Sequence, residues 1–93
     1  MNDRPKRVII TGASSGIGKA TAERFAGEGW EVCLVARRKE LQEEIRAGLP
    51  AGRHLVCAGA FEDPATAERI RAAVQQEWGS LDALVNSAGV YMS

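Results

Sequence analysis

The chain has 93 residues, of which 45% are hydrophobic and 26% are charged, and its 12 basic residues balance 12 acidic ones. This length accommodates one domain, and the composition is typical of a globular protein rather than a disordered segment. A net charge near zero argues against nucleic acid or an anionic membrane as a partner. The apolar run Val8–Ile10 is too short for a signal peptide or a membrane span, so we expect a cytoplasmic protein.

The histidine and the cysteines do not form a metal or catalytic cluster in the sequence. His54 is the single histidine, so neither a His-based metal site nor a Ser-His-Asp triad can be assembled. Cys33 and Cys57 lack CxxC spacing, and each sits in an apolar run where a thiol packs as a small hydrophobic group. We therefore predict no metal site, and two buried, inert thiols in preference to redox or metal chemistry.

Short apolar runs alternate with longer amphipathic stretches, which is typical of βαβ units on a parallel sheet. The apolar runs predict four strands, at Arg7–Thr11, Glu31–Ala36, His54–Ala58 and Leu81–Asn86. The amphipathic stretches predict three helices, at about Gly16–Glu28, Lys39–Leu49 and Pro64–Trp78. Their expected buried residues are Leu41, Ile45 and Leu49 in the second helix and Ala67, Ile70, Val74 and Trp78 in the third. Asp63 is expected to cap the third helix and Gly79 to end it.

Right-handed crossovers place the first two helices on one face of the sheet and the third on the other, if the fourth strand pairs beside the first. The sequence therefore predicts an α/β fold, a partial Rossmann-type doubly wound parallel sheet in the order 3-2-1-4. We expect residues 1–93 to form a single, truncated nucleotide-binding domain. The strand order reverses between the first and fourth strands, and a nucleotide binds in the crevice at such a point.

The stretch Thr11–Gly18, Thr-Gly-Ala-Ser-Ser-Gly-Ile-Gly, joins the first strand to the first helix. Gly12 permits a tight turn, Gly16 permits a diphosphate to approach the backbone, and Gly18 permits the helix to pack close to the sheet. The helix N-terminus supplies N–H groups and the positive end of a dipole to phosphates. The stretch therefore indicates a phosphate cradle.

A bare glycine-rich turn and a P-loop are the alternatives for this stretch. Its place between a strand and a helix of a βαβ unit favours the cradle over a bare turn, with Ser14 and Ser15 as further hydroxyl donors. A P-loop would require glycine where the chain has Ala13 and a hydroxyl group where it has Ala20. We therefore reject the P-loop and interpret Lys19 as a solvated helix residue.

The stretch Thr11–Gly18 is similar to the TGxxxGIG motif of the classical short-chain dehydrogenase/reductases, and Leu84–Val90 resembles that family's NNAG motif. The likeness covers the chain from about Lys6 to Val90, as the N-terminal, cofactor-binding half of a family member. It implies an oxidoreductase that moves hydride between a nicotinamide cofactor and a carbonyl or alcohol substrate. The cofactor-binding residues that it implies are Gly12, Ser14, Ser15, Gly16, Ile17, Gly18, Arg37, Arg38, Asn86, Ala88 and Gly89.

The end of the second strand predicts which dinucleotide is bound. An NAD preference would place a carboxylate there for the ribose hydroxyls, whereas the chain has Ala36, Arg37 and Arg38. A guanidinium can hold a 2′-phosphate through charge-assisted hydrogen bonds, so we predict NADP (NADPH) rather than NAD. Arg37 matches the position where NADP-preferring family members carry arginine. Arg38 is a candidate to stack on adenine. The alternative is that Arg37, Arg38 and Lys39 form only a solvated charged loop before the second helix.

Three positions depart from the family's pattern. Ser15 stands where many NADP-preferring members carry a second basic residue, and Ala60 stands where an Asp commonly faces the adenine. Ser87 replaces the second Asn of the NNAG motif, which keeps a hydrogen-bonding group with a shorter reach. These departures concern binding rather than fold.

The resemblance also implies a catalytic Ser, Tyr and Lys, and the chain does not match their pattern. Tyr91 is the only tyrosine, and the family's YxxxK motif would need a lysine beyond Ser93. We therefore predict no catalytic residue in these 93 and expect the chain alone to be inactive. The alternative function is a stand-alone nucleotide-binding or regulatory module without catalysis.

The resemblance implies a further strand beside the fourth one in a complete family member, and we expect residues 1–93 not to supply it. An unpaired strand edge exposes backbone donors and acceptors to other chains. We therefore expect self-association through this edge, in addition to binding of the dinucleotide.

Overall fold

The computed structural model describes residues 4–12 and 16–86. Their strands are β1 (Arg7–Thr11), β2 (Glu31–Ala36), β3 (Leu55–Ala58) and β4 (Ala83–Asn86). Their α-helices are α1 (Gly16–Gly27), α2 (Lys39–Ala47) and α3 (Pro64–Ala73). The strands are parallel and follow the order β3-β2-β1-β4, which confirms the predicted Rossmann-type sheet.

The sheet separates two apolar clusters, because successive side chains of a strand point to opposite faces. The cluster beneath α1 and α2 contains Val8, Ile10, Ala22, Ala26, Val32, Leu34 and Leu49. The cluster beneath α3 contains Ile9, Cys33, Val35, Cys57, Ile70 and Trp78. The helices therefore cover the two faces as right-handed crossovers require, and β2 is buried along its whole length.

A buried ion pair ties together the amino ends of β1 and β2. The carboxylate of Glu31 accepts from Arg7 Nε at 3.0 Å and from the backbone N–H of Arg53 at 2.9 Å. Arg7 Nη1 also donates to the carbonyl oxygen of Trp78 at 2.6 Å, and its guanidinium lies 5.7 Å from the centre of that indole ring. The charges are thus paired and hydrogen-bonded, as burial demands.

The prediction of one continuous α-helix to Trp78 is wrong in the last turn. The α-helix ends at Ala73, and Val74–Trp78 form a π-helical turn, which Gly79 ends with a φ of 79°. The wider turn packs Trp78 into the cluster beneath α3 while its Nε1 donates to the Arg53 carbonyl oxygen at 2.9 Å. A tertiary contact of the indole thus overrides the local α-helical pattern.

The buried side of α3 also differs from the predicted one. Thr66 and Ile70 are buried, whereas Ala67 is exposed and Val74 is half-buried. The hydroxyl of Thr66 accepts a hydrogen bond from Arg69 Nη2 at 3.3 Å, so its polar atom is satisfied beneath the helix. A threonine whose hydroxyl is hydrogen-bonded can therefore occupy the buried side of α3, where the apolar pattern predicts Ala67.

The predicted apolar stripe of α2 is only partly right. Leu41 and Ile45 are half-buried and Leu49 is buried just beyond the helix, but Gln42 is the residue of α2 with no exposed surface. Gln42 Nε2 donates to the carbonyl oxygen of Cys57 at 3.4 Å. The Gln42 side chain thus hydrogen-bonds to the backbone of β3. The spacing of apolar residues does not predict this contact.

β3 begins one residue later than predicted because His54 bonds through its side chain. His54 Nδ1 accepts from the backbone N–H of Val32 at 3.1 Å. The other ring nitrogen lies 2.7 Å from the carbonyl oxygen of Pro50. Since Nδ1 accepts, Nε2 carries the hydrogen and donates to Pro50, so the ring is neutral.

Two further element ends are defined by carboxylates. Asp63 Oδ1 accepts from the backbone N–H of Ala65 at 3.0 Å, which confirms the predicted N-cap of α3. β4 starts after Asp82 rather than at the predicted Leu81. The carboxylate of Asp82 accepts from the backbone N–H of Arg7 at 2.8 Å, and Leu81 remains exposed.

Candidate dinucleotide-binding site

The carboxyl ends of β1 and β4 meet where the strand order reverses. Thr11 and Asn86 are register partners there, and Thr11 Oγ1 donates to Asn86 Oδ1 at 3.0 Å. Thr11 is fully buried, so this side-chain bond reinforces the junction of the two strands. Asn86 therefore lies at the crevice that the sequence predicts for a nucleotide.

The chain leaves β1 through a glycine turn. Gly12 has a φ of 70°, in the left-handed region that favours glycine, and its N–H donates to the Val35 carbonyl oxygen at 2.7 Å. α1 then begins at Gly16, where a Cβ would meet no atom of the described residues within 4 Å. Gly18 is buried, while Ile17 is 70% exposed. The first turn of α1 thus presents an open backbone surface.

Four of the predicted cofactor-binding residues lie outside the described part of the chain. They are Ser14, Ser15, Ala88 and Gly89. Their contribution to binding stays a prediction from the sequence.

A cavity of about 560 Å³ opens beside the glycine turn, at the carboxyl ends of β2 and β3. It is lined by Gly12, Val35, Ala36, Arg37, Arg38, Leu41, Gly59, Ala60, Phe61 and Glu62. Most of these residues are small or apolar, and the charged ones are two arginines and one glutamate. Such a cleft fits a flat, largely apolar group that carries an anionic substituent.

The two arginines that follow β2 are exposed at this cavity. Arg38 is the N-cap residue of α2 but makes no side-chain capping hydrogen bond. Among residues 4–12 and 16–86, no carboxylate forms an ion pair with Arg37 or Arg38. Both guanidinium groups are therefore available to an anion.

Several residues that line the cavity are not assigned to the site by the sequence motifs, among them Leu41, Phe61 and Glu62. The apolar spacing predicts Leu41 as a buried core residue of the second helix, yet its half-buried side chain lines the cavity. Phe61 is an aromatic residue in a loop, which is the one signal that the sequence offers, and the structure leaves it 38% exposed at the cavity. Glu62 resembles any other solvated loop residue, so the sequence carries no signal for it.

Gly59 forms the tightest part of the cavity wall. Its φ is 142°, and its N–H donates to the Ala36 carbonyl oxygen at 2.9 Å. A Cβ at this position would collide with Thr66 Oγ1 and would lie 2.8 Å from Arg69 Nη2. Arg69 Nη2 in turn donates to the Ala58 carbonyl oxygen at 2.9 Å. The close approach of α3 to the end of β3 therefore requires glycine.

Residues 6–93 match the short chain dehydrogenase family. The chain belongs to this family. The meso-2,3-butanediol dehydrogenase of Serratia marcescens is 38% identical over 88 residues, which cover 95% of this chain and 35% of that protein. The serine 3-dehydrogenase of Agrobacterium fabrum is 41% identical over 83 residues, which cover 89% and 33%. The chain spans about a third of the length of these curated relatives.

Solved structures give the same assignment. L-sorbose reductase of Gluconobacter frateurii, complexed with NADPH and L-sorbose, matches with a TM-score of 0.82 and 37% identity, over 99% of this chain and 36% of that one. The 3-ketoacyl-(acyl-carrier-protein) reductase of Brucella melitensis, complexed with NADH, matches with 0.78 and 32%, over 85% and 32%. The chain is thus the N-terminal part of a short chain dehydrogenase domain, in a family of oxidoreductases.

No helix in residues 4–12 and 16–86 combines the length and the apolar character that crossing a membrane requires. Within the same ranges, no three His, Cys, Asp or Glu side chains are grouped closely enough to hold a metal ion together.

We expect Gly59→Ala to destabilise the fold and to distort the cavity wall, whereas Gly27→Ala is the matched control. A Cβ at Gly59 meets α3 and imposes a strained φ, which costs about 1–3 kcal/mol. Gly27 is helical with no described atom near its Cβ position, so alanine there should stabilise by about 0.5–1 kcal/mol. Urea unfolding of the two variants measures both effects, and equal stabilities would contradict this account of the wall.

Proposed function

We propose that residues 1–93 are one truncated domain that binds NADP(H) in preference to NAD(H), as the cofactor-binding half of a short chain oxidoreductase. The observation that carries this proposal is the pair of guanidinium groups of Arg37 and Arg38, which are exposed at the cavity beside the glycine turn and have no carboxylate partner among the described residues. Relatives complexed with NADPH and with NADH support a nicotinamide dinucleotide in general. The preference between them therefore depends on these two arginines.

The residues present fit such a cofactor. The open space over Gly16 leaves the first turn of α1 accessible to a diphosphate, and a side chain there would fill that space. No acidic residue occupies the first turn of α1, so nothing opposes an anion at the positive end of its dipole. When bound, the nicotinamide would supply hydride transfer, while this chain would hold and orient the adenosine and diphosphate portions.

The cavity at the ends of β2 and β3 is the proposed place for the adenosine portion. Its apolar lining, including Leu41 and Phe61, suits the faces of a purine. Arg37 directly follows β2, so its guanidinium is placed to bind a 2′-phosphate through charge-assisted hydrogen bonds. A carboxylate at that position would repel this phosphate, and the chain has none there.

We expect Arg37→Ala to weaken NADP⁺ binding by roughly 10- to 100-fold, because one charge-assisted hydrogen bond contributes about 1.5–3 kcal/mol. Binding of NAD⁺, which lacks the 2′-phosphate, should stay nearly unchanged. Calorimetric titration with both nucleotides measures this difference. Arg71→Ala is the control, since Arg71 is an exposed arginine that pairs with Glu68 on α3.

Equal affinities of the parent chain for NADP⁺ and NAD⁺ would refute the preference. A Gly16→Val variant separates the preference from dinucleotide binding as such, because its side chain fills the space proposed for the diphosphate. If this variant keeps its fold by circular dichroism but binds neither nucleotide, the result supports the phosphate cradle at Gly16.

We also propose that the chain alone has no turnover. Its lysines are Lys6, Lys19 and Lys39, and none of them follows its one tyrosine, Tyr91, at the spacing of the family's catalytic motif. General acid catalysis needs a donor with a tuned pKa within hydrogen-bond reach of the substrate, and these residues do not supply that pair. The second candidate function, a nucleotide-binding or regulatory module, also predicts that the chain alone has no turnover.

We expect the purified chain to oxidise no NADPH with carbonyl substrates, measured by absorbance over hours. Steady oxidation that disappears in the Gly16→Val variant would show that the chain contains a catalytic group. Restored activity on adding a separately expressed segment with the missing Ser, Tyr and Lys would support the half-enzyme over the regulatory module.

We further propose that the chain self-associates through β4. Among the described residues, β4 pairs with β1 alone, and Leu84 and Leu81 are 55% and 44% exposed. An open strand edge with adjoining apolar surface favours association.

Leu84→Lys should therefore shift the chain towards monomer in sedimentation experiments. Phe61→Lys is the control, because it replaces an exposed apolar residue that is remote from β4. A parent chain that sediments as a monomer and melts cooperatively without nucleotide would contradict the proposed association.

A further inference from the structure

The last peptide unit of β3 is held from two sides. The N–H of Gly59 donates to the carbonyl oxygen of Ala36 in β2 at 2.9 Å. In a planar trans peptide the C=O and the N–H point in opposite directions, so the Ala58 carbonyl oxygen points away from β2. That oxygen accepts a hydrogen bond from Arg69 Nη2 at 2.9 Å. A strand and an arginine of α3 therefore anchor the same peptide unit on opposite sides.

Arg69 occupies the open edge of β3. This strand pairs with β2 alone among the described strands, so no described strand supplies a donor to the Ala58 carbonyl oxygen. Arg69 Nη2 also donates to Thr66 Oγ1 at 3.3 Å, and Thr66 is fully buried beneath α3. Within residues 4–12 and 16–86, no carboxylate forms an ion pair with Arg69. The guanidinium therefore links α3 to the end of β3 through oxygen atoms of uncharged groups.

The anchored peptide begins the segment that walls the cavity. Residues 59–62 join β3 to α3, and all four of them line the cavity. At the far end of this segment, the N–H of Asp63 donates to the Ala60 carbonyl oxygen at 3.1 Å, and the Asp63 carboxylate caps α3. At the near end, the segment is held through the Ala58–Gly59 peptide. The position of this wall relative to β2 therefore depends on how firmly that peptide is held.

Arg69 acts on the wall from outside the cavity. Its side chain is not among those that line the cavity, yet a Cβ on Gly59 would lie 2.8 Å from Arg69 Nη2. The guanidinium is thus packed directly against the backbone of the wall. Without it, the Ala58–Gly59 peptide would keep its bond to β2 but lose its anchor on the other side. Segments held by fewer contacts open more readily, so residues 59–62 would become more mobile.

We propose that Arg69 is a positioning residue of the adenosine site: it holds the Ala58–Gly59 peptide, fixes residues 59–62 and thereby sets the affinity for the adenosine portion of the dinucleotide. This proposal rests on the proposed function, which places adenosine in the cavity. Because Arg69 contacts the wall and not the ligand, its loss weakens ligands with and without a 2′-phosphate by the same factor. Arg37, by contrast, is proposed to act on the 2′-phosphate alone.

Two variants of Arg69 separate its donor from the rest of its side chain. Arg69→Met removes the donor and keeps an unbranched side chain, whereas Arg69→Lys keeps a cationic donor. Methionine and lysine have similar helix propensities, so the two variants should affect α3 alike. Arg71→Met is the matched control, because Arg71 is an exposed arginine of α3 that pairs with Glu68.

The test titrates the 93-residue chain calorimetrically with AMP and with adenosine 2′,5′-bisphosphate, which differ in the 2′-phosphate. We expect Arg69→Met to weaken both ligands by the same factor, roughly 3- to 10-fold, which is what one hydrogen bond contributes. Arg69→Lys should recover most of this affinity, and Arg71→Met should bind both ligands as the parent chain does.

Amide hydrogen exchange without ligand measures the position of the wall directly. In Arg69→Met, the hydrogen-bonded amides of Gly59 and Asp63 should exchange faster than in the parent chain, whereas the amides of the buried strand β2 should not. Equally faster exchange at all of these amides overturns the proposal, because Arg69 would then stabilise the whole fold rather than the wall.

The titrations also contain the outcomes that decide against the proposal. Unchanged affinities in Arg69→Met overturn it, and so does a loss confined to the bisphosphate, which would make Arg69 a phosphate contact. If the parent chain binds neither AMP nor the bisphosphate, the proposed function fails and this proposal fails with it. If the parent chain binds both and Arg69→Met binds them equally well, this proposal fails alone.

Discussion

β1 pairs with a neighbouring strand along each of its two edges, and the rest of the structure depends on this constraint. β1 pairs with β2 on one edge and β4 on the other, although β4 is the last of the described strands in the sequence. This reversal forces α3 onto the face opposite α1 and α2, because right-handed crossovers leave no other route. It also leaves the carboxyl ends of β1 and β4 without a covering crossover, so a crevice forms at the glycine turn.

The two ends of the sheet have different roles. At the amino ends of the strands, Arg7 pairs with the carboxylate of Glu31. At the carboxyl ends, the guanidinium groups of Arg37 and Arg38 have no such partner among the described carboxylates. Stability and binding are thus separated along the strand axis, which is how parallel α/β sheets place ligand sites. Arg37 and Arg38 therefore lie where an anion is proposed to bind.

Much of this architecture could be predicted from the sequence because it follows from local patterns. Apolar runs and helix signals predicted the strands, the helices and the cap at Asp63, and right-handed crossovers with β4 paired beside β1 then predicted the strand order and the helix faces. The glycine turn and Arg37 could be placed at the cavity because each directly follows a predicted strand. Two of the features that were missed depend on contacts between distant segments. The π-helical turn before Gly79 follows from the indole contact to Arg53, and the late start of β3 follows from the contact of His54 with Val32.

Gln42 shows why local rules fail beside the cavity. Its Oε1 is buried with no hydrogen-bond partner among the described residues, and such a group costs about 1–3 kcal/mol. Its Nε2 holds the carbonyl of Cys57, in a strand whose other edge has no described partner. The next residue towards the amino end, Leu41, lines the cavity. A leucine at position 42 would remove the unsatisfied atom but would also remove the hydrogen bond to the carbonyl of Cys57, two residues before Gly59 in the cavity wall. Gln42 thus lowers stability through its unsatisfied Oε1 and, through its hydrogen bond to β3, helps to position that wall. Such a departure from the pattern of a fold is expected beside a site.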